Sequence, residues 1–328
     1  MNSDHAPDVA SSSTRRRAFM LVAHGGAGTI RKRVMTPEQR AAYREAMTDA
    51  LRAGCDVLSA EGTSLDAVQA VITVLEDSPL FNAGKGAVFT HDGTHEQDAA
   101  IMDGSTLRAG AVAGVQHIAH PIALARLVME RTKHVMLSGD GAEAFAREEG
   151  VPLVPSEYFS TERRWAELEK ARQAEEAGGA AGAAVGTRLN RDLGTVGAVA
   201  LDVHGNLAAG TSTGGVTNKR WGRIGDSPII GAGTYANNAC AALSATGIGE
   251  HFIRNVVTYD ICARMIYGGE SLDQAARHMI GTVLVAQHGD GGLIGVDRDG
   301  NITMPFNTEG MYRGFVGPDG AVTVKIFE

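Results

Sequence analysis

The chain has 328 residues, 44 % of them hydrophobic and 21 % charged, and a net charge of −8. That length can bury a large core, that acidity excludes a broad nucleic-acid surface, and no apolar run approaches the ~18 residues of a membrane helix. The three cysteines (Cys55, Cys240, Cys262) are odd in number and widely spaced, which predicts no disulfide framework, no clustered metal site and a reducing compartment.

Residues 1–17 are polar and end in Arg15-Arg16-Arg17; with the apolar run at 18–23 too short for an export signal, they read as a disordered tail and the protein as cytoplasmic. The run at 19–23 reads as a buried strand feeding a glycine turn, His24-Gly25-Gly26-Ala27-Gly28. Thr36, Pro37 and Gln39 form a capping-box start for a helix to about residue 53, and Ser64 caps a second helix over 65–77. A turn-rich segment, Ser78-Pro79-Leu80-Phe81-Asn82-Ala83-Gly84, follows. Strands are predicted at 96–103 and 108–115, a helix at 121–131, a strand at 134–137 and a helix at 141–149.

Residues 161–176 read as a charged helix. The glycine- and alanine-rich stretch at 178–184 offers no side chain for a core, so 177–193 is expected to be a flexible linker. Beyond it, Gly194-Thr195 opens an apolar strand at 196–201. A turn at 202–206 returns a second strand over 207–212, and a similar hairpin covers 292–296 and 302–305. Helices fit at 236–245, 249–267 and 271–286. Strands and helices in blocks favour an α+β layered sandwich over a doubly wound parallel sheet.

Thr195 stands where the linker meets the buried strand. Cut before it, the chain would expose an α-amine of pKa ~7.7–8.0 beside its own hydroxyl, one way to activate a weak oxygen nucleophile. Gly186-Thr187 competes but is followed by Arg188-Leu189-Asn190-Arg191, not a core strand. The hairpin turn places Thr213 at the same end as Thr195. Arg223 and Asp226, in a glycine-framed loop, suit a zwitterion: guanidinium to carboxylate, carboxylate to ammonium; a surface ion pair is the plainer reading. Thr246 and Gly247 precede a helix, where an oxyanion could be held or the turn could merely cap. No nucleotide loop, zinc motif or serine-hydrolase elbow is present.

Gly194-Thr195-Val196-Gly197-Ala198-Val199-Ala200-Leu201-Asp202, Thr211-Ser212-Thr213-Gly214-Gly215, Gly222-Arg223-Ile224-Gly225-Asp226-Ser227-Pro228 and Ala245-Thr246-Gly247-Ile248-Gly249-Glu250 together resemble the plant-type L-asparaginase/isoaspartyl peptidase family of N-terminal nucleophile hydrolases. The likeness spreads over about residues 19–320 and includes Phe81-Asn82-Ala83-Gly84. It implies a four-layer αββα sandwich, one folded domain built from two pieces. The precursor would cut itself between Gly194 and Thr195 into an α chain (18–194 behind the tail) and a β chain (195–328), assembled as an (αβ)2 heterotetramer.

In that resemblance Thr195 is the nucleophile, Thr213 its support, and Thr246 with Gly247 the oxyanion hole. Arg223 and Asp226 bind the substrate's α-carboxylate and α-amine, Gly249 helps hold it, and Asn82 sits near the nucleophile. A structural sodium ion is implied on backbone carbonyls of Leu75, Glu76, Ser78, Phe81, Ala83 and Lys85. The substrate would be L-asparagine or a short β-aspartyl peptide. The sister glycosylasparaginases typically carry Asn where this chain has Gly214 and Asp where it has Gly194. A non-catalytic binding protein on the same frame would remain one uncut chain.

Overall fold

A computed structural model describes residues 18–189 and 194–328, except for the side chains of 178–189. The tail expected at 1–17 and residues 190–193 of the linker expected at 177–193 therefore lie outside the described residues, while the backbone of 177–189 is helical.

The chain begins with β1 (Met20–Gly28), α1 (Pro37–Ser59), α2 (Ser64–Asp77), β2 (Gln97–Asp103), β3 (Ala109–Val115), α3 (Pro121–Arg131), β4 (Met136–Ser138), α4 (Gly139–Glu148) and α5 (Glu162–Leu189). It continues with β5 (Val196–Leu201), β6 (Leu207–Thr213), β7 (Thr234–Ala236), β8 (Ala241–Gly247), α6 (Gly249–Asn255), α7 (Val257–Gly268) and α8 (Leu272–His278). It ends with β9 (Gly291–Asp297), β10 (Ile302–Thr303), β11 (Gly310–Val316) and β12 (Thr323–Lys325).

The strands form two sheets. One has eight strands in the order β12-β11-β1-β5-β6-β2-β3-β4, and the other four in the order β10-β9-β8-β7. All pairings are antiparallel except β3 with β4. The fold is thus mixed, with strands and helices in blocks as expected.

Side-chain alternation explains why β1 and β5 read as unbroken apolar runs: both of their faces are buried. Leu21 and Ala198 share a cluster with Met47 and Leu51 of α1, Ile72 of α2 and Ile122 of α3. Their neighbours Val22 and Val199 instead join Ala242, Ile294 and Val296 of the smaller sheet. A third cluster packs Ile261 of α7 and Leu272 of α8 on Leu243 and Leu293.

Several local expectations are met. Thr36 and Gln39 form a reciprocal capping box with Pro37 at the first turn of α1. Others are corrected. The cap of α2 is Thr63, whose hydroxyl accepts from the Asp66 amide, rather than Ser64. Residues 24–28 are not a turn: β1 continues through them, its register slipping between His24 and Ala27. The helix expected at 236–245 is instead β7 and β8. Its alanines favour helix intrinsically, but small side chains are also what fits a strand closed in by the opposite sheet and α7. The helix expected at 249–267 breaks at Val256, which adopts a left-handed φ of 47°. The one expected at 271–286 gives way to a π turn at Met279–Leu284.

Cys240 and Cys262 are joined in a disulfide across a Cα–Cα distance of 5.6 Å, while Cys55 is free and buried. The expectation of no disulfide is overturned because α7 packs on the start of β8, a neighbourhood that sequence spacing does not reveal. No helix among the described residues is long and apolar enough to cross a membrane.

Candidate active site

The β5–β6 hairpin sets the first pair of groups. In the turn, Asp202 accepts the amides of His204 and Asn206 with one carboxylate oxygen and the Ser64 amide with the other. The hairpin then pairs Val196 with Ser212. Thr195 and Thr213 follow as neighbours, and the Thr195 hydroxyl donates to the Thr213 hydroxyl over 3.0 Å. The Gly215 amide donates to the same Thr213 oxygen at 3.0 Å. Thr195 is only 8 % exposed.

Asn82 ties the loop after α2 to this hairpin. Its amide donates to the Gly194 carbonyl oxygen at 3.1 Å, and its carbonyl accepts from the Gly214 amide at 2.9 Å. Its side chain donates to the Gly215 carbonyl at 2.7 Å and accepts the Val88 amide at 2.9 Å. A Cβ on residue 194 would stand 2.8 Å from the Asn82 Cβ, so glycine is required for this approach. The peptide bond before Thr195 is therefore held with its carbonyl oxygen on a backbone donor.

Thr246 is buried near the end of β8, and its hydroxyl oxygen accepts the Ala27 amide at 3.3 Å, leaving the hydroxyl proton free to donate. This contact places the Thr246–Gly247 pair against β1, which neighbours β5.

Arg223 and Asp226 flank Gly249. The Arg223 Nη2 and the Asp226 Oδ1 each lie 2.9 Å from the position a Cβ on Gly249 would take. Asp226 is buried, and its Oδ2 has no hydrogen-bond partner among the described residues. Burial pushes its carboxyl up to about 7 against the pull of Arg223. A buried carboxylate with an unused oxygen beside a guanidinium suits a ligand carrying an ammonium and a carboxylate. The Lys219 ammonium, also buried, bridges toward the hairpin: it donates to the Arg223 carbonyl at 3.3 Å and lies close to Gly215.

The side chains of three residues beside the site, His24, Glu250 and Glu76, receive no role from the sequence, although each lies in a motif named above. His24 bonds Ser244 at 2.9 Å, Ser244 bonds Thr211 at 2.7 Å, and Thr234 donates to Thr211 at 2.7 Å, a buried chain between the two sheets. Burial lowers His24 to about 3, with the Thr195 backbone beside the ring pulling the other way, so the imidazole is neutral. Glu250 grips Arg223 with both carboxylate oxygens, at 2.9 and 3.0 Å. The Glu76 carboxylate, buried under β6, accepts the Ser212 hydroxyl at 2.6 Å.

The loop expected to hold sodium winds tightly on its own backbone. A Cβ on Gly84 would lie 2.1 Å from the Glu76 carbonyl oxygen, and one on Gly86 would lie 2.1 Å from that of Phe81. The loop thus turns backbone oxygens onto a cradle only glycine leaves open, and neutral oxygen donors fit a hard cation. No side-chain cluster of His, Cys, Asp or Glu competes with it among the described residues.

Residues 17–326 match the family model described as Asparaginase. An isoaspartyl peptidase of Salmonella typhimurium is 52 % identical, covering 91 % of this chain and 96 % of the relative. One from Escherichia coli is 51 % identical over 91 % of this chain and 93 % of the relative. A human isoaspartyl peptidase/L-asparaginase is 43 % identical over 86 % and 88 % respectively. The arrangement around Thr195 and these likenesses agree: the chain belongs to the asparaginase family that includes the isoaspartyl peptidases.

Proposed function

We propose that this protein is a self-processing threonine amidohydrolase that hydrolyses β-aspartyl peptides and L-asparagine, on a four-layer αββα sandwich. The reading rests on one observation above all: the Thr195 hydroxyl and the Asn82-held Gly194 carbonyl stand on either side of the same peptide linkage.

In processing, the Thr195 oxygen attacks the Gly194 carbonyl carbon. The C–N bond breaks, the nitrogen takes up the proton, and water hydrolyses the resulting ester. Residue 194 keeps a carboxylate, and Thr195 keeps a free α-amine. That amine then serves as base for its own hydroxyl. In turnover, the substrate's α-carboxylate lies on Arg223 and its ammonium on Asp226, beside Gly249. Thr195 attacks the side-chain carbonyl, and the oxyanion takes hydrogen bonds from the Thr246 hydroxyl and the Gly247 amide. Ammonia or a peptide amine leaves with the proton held by the Thr195 amine. Water releases aspartate.

Sodium on the carbonyls of Leu75, Glu76, Ser78, Phe81, Ala83 and Lys85 would fix the loop that carries Asn82. The two fragments would pair as (αβ)2. The few, widely spaced cysteines suit a cytoplasmic location, whereas the Cys240–Cys262 bond argues against a strongly reducing compartment.

The test is direct. A denaturing gel with N-terminal sequencing should show a fragment beginning at Thr195, and the purified protein should release ammonia from L-asparagine and aspartate from β-aspartyl dipeptides. Thr195→Ala should remain one chain and turn over neither. An active protein in a single unbroken chain overturns the reading.

A further inference from the structure

Arg223 and Asp226 are opposite charges close together, and left to themselves they should pair. Both their atoms lie 2.9 Å from one point above Gly249, so they are no farther apart than the sum of those distances. They do not form an ion pair. Arg223 turns its Nε and Nη2 to Glu250 instead, at 2.9 and 3.0 Å, and the Asp226 Oδ2 is left without a hydrogen-bond partner. A guanidinium has five N–H donors, and a carboxylate on the Nε–Nη2 edge uses two. The donors of Nη1 and one of Nη2 have no hydrogen-bond partner among the described residues.

We propose that Glu250 is a positioning residue that holds Arg223 off Asp226, so that the two present separate charges to a zwitterionic substrate. The inference rests on the function proposed above and adds a residue to it. A direct Arg223–Asp226 pair would neutralise both binding groups, and substrate would have to break it. With Glu250 as the competing anion, the Arg223 side chain is 19 % exposed and Glu250 is 55 % exposed. The cost of sequestering a carboxylate thus falls mainly on an outer group that keeps water, while the inner carboxylate keeps an open oxygen. The charged groups acting on Asp226 are Arg223, Glu250 and Asp98, and on Glu250 they are Arg223 and His251.

The experiment compares wild type with Glu250→Gln and Glu250→Asp on L-asparagine and a β-aspartyl dipeptide, with pH profiles of kcat/KM. Glu250→Gln should raise KM for both substrates about tenfold or more, the scale of one lost charge-assisted contact. The kcat at saturation should stay within about threefold. Glu250 is largely exposed and touches neither Gly194 nor Thr195 in any hydrogen bond, so self-cleavage should be normal. The acid limb of the profile should move to lower pH, because Arg223, released onto Asp226, favours its carboxylate. Glu250→Asp should recover part of the KM. A KM that is unchanged or lower, or an acid limb that does not move, overturns the positioning role while leaving the enzyme reading intact. A wild type that hydrolyses neither substrate overturns both.

Discussion

At the scale of single residues, Thr246 and Asp226 give separable expectations. Thr246 accepts from Ala27 through its oxygen and still has a proton to give. Thr246→Val keeps the shape and removes that donor, and should lower kcat by about 10²–10³-fold, the usual loss for one oxyanion donor. Thr246→Ser should retain most of the rate. Steady-state kinetics on L-asparagine decide this; a Val variant within a few-fold of wild type would remove Thr246 from the reaction. Asp226 must be ionised to hold an ammonium, and burial raises its carboxyl to about 7. Arg223 opposes that rise, and the negative charges of Glu250 and Asp98 add to it. kcat/KM should therefore fall more steeply than kcat as pH drops through about 7, because the Thr195 amine proposed as base gives both an acid limb and Asp226 adds a second step to that of kcat/KM. Acid limbs of equal steepness would show that the carboxylate stays charged in the free enzyme.

At the scale of elements, the β5–β6 hairpin was legible because two apolar runs flank a turn whose Asp202 can cap its own backbone. That turn fixed the register, and the register placed Thr213 beside Thr195. The loop chemistry of Arg223 and Asp226 was legible as charge framed by glycine. The partner that organises it, Glu250, was not, because its grip depends on α6 returning beside the 223–226 loop. The strand β8 reads as helix for a different reason: Ala241, Ala242 and Ala245 are equally at home in a helix, and only the sheets around them decide. The same packing hid the bond between Cys240 and Cys262, which closes a segment of 22 residues. By loop-closure entropy such a link is worth about 3 kcal/mol. Cys262→Ser should lower the midpoint of urea unfolding accordingly, and intact mass under non-reducing conditions should show the loss of the two-hydrogen deficit. A wild type whose stability ignores reductant would mean the two thiols contribute only packing.

At the scale of the whole molecule, the space between the sheets holds a polar chain beside its apolar cluster. His24 Nε2, Ser244, Thr211 and Thr234 are hydrogen-bonded in series there, which offsets most of the cost of their burial, while the His24 Nδ1 has no hydrogen-bond partner among the described residues. This has a sign in stability against pH. His24 titrates near 3 when folded and near 6.5 when unfolded, so between those values the unfolded chain binds more protons and stability rises with pH. His95, lowered by burial to about 4, acts in the same direction. Asp226, raised by burial to about 7, does the reverse from its ordinary 3.8 upward, and Glu76 and Asp98 are raised by burial as well. The contributions of these groups oppose one another and partly cancel between pH 4 and 7. Removing one side should expose the other. In the uncut Thr195→Ala background, Asp226→Asn should make stability rise more steeply from pH 4 to 6.5, whereas His24→Asn should make it fall as pH rises across the same window. Urea unfolding at a series of pH values reads both slopes. Curves parallel to the Thr195→Ala parent would mean that these two buried groups keep near-ordinary titration, and that water reaches the layer between the sheets.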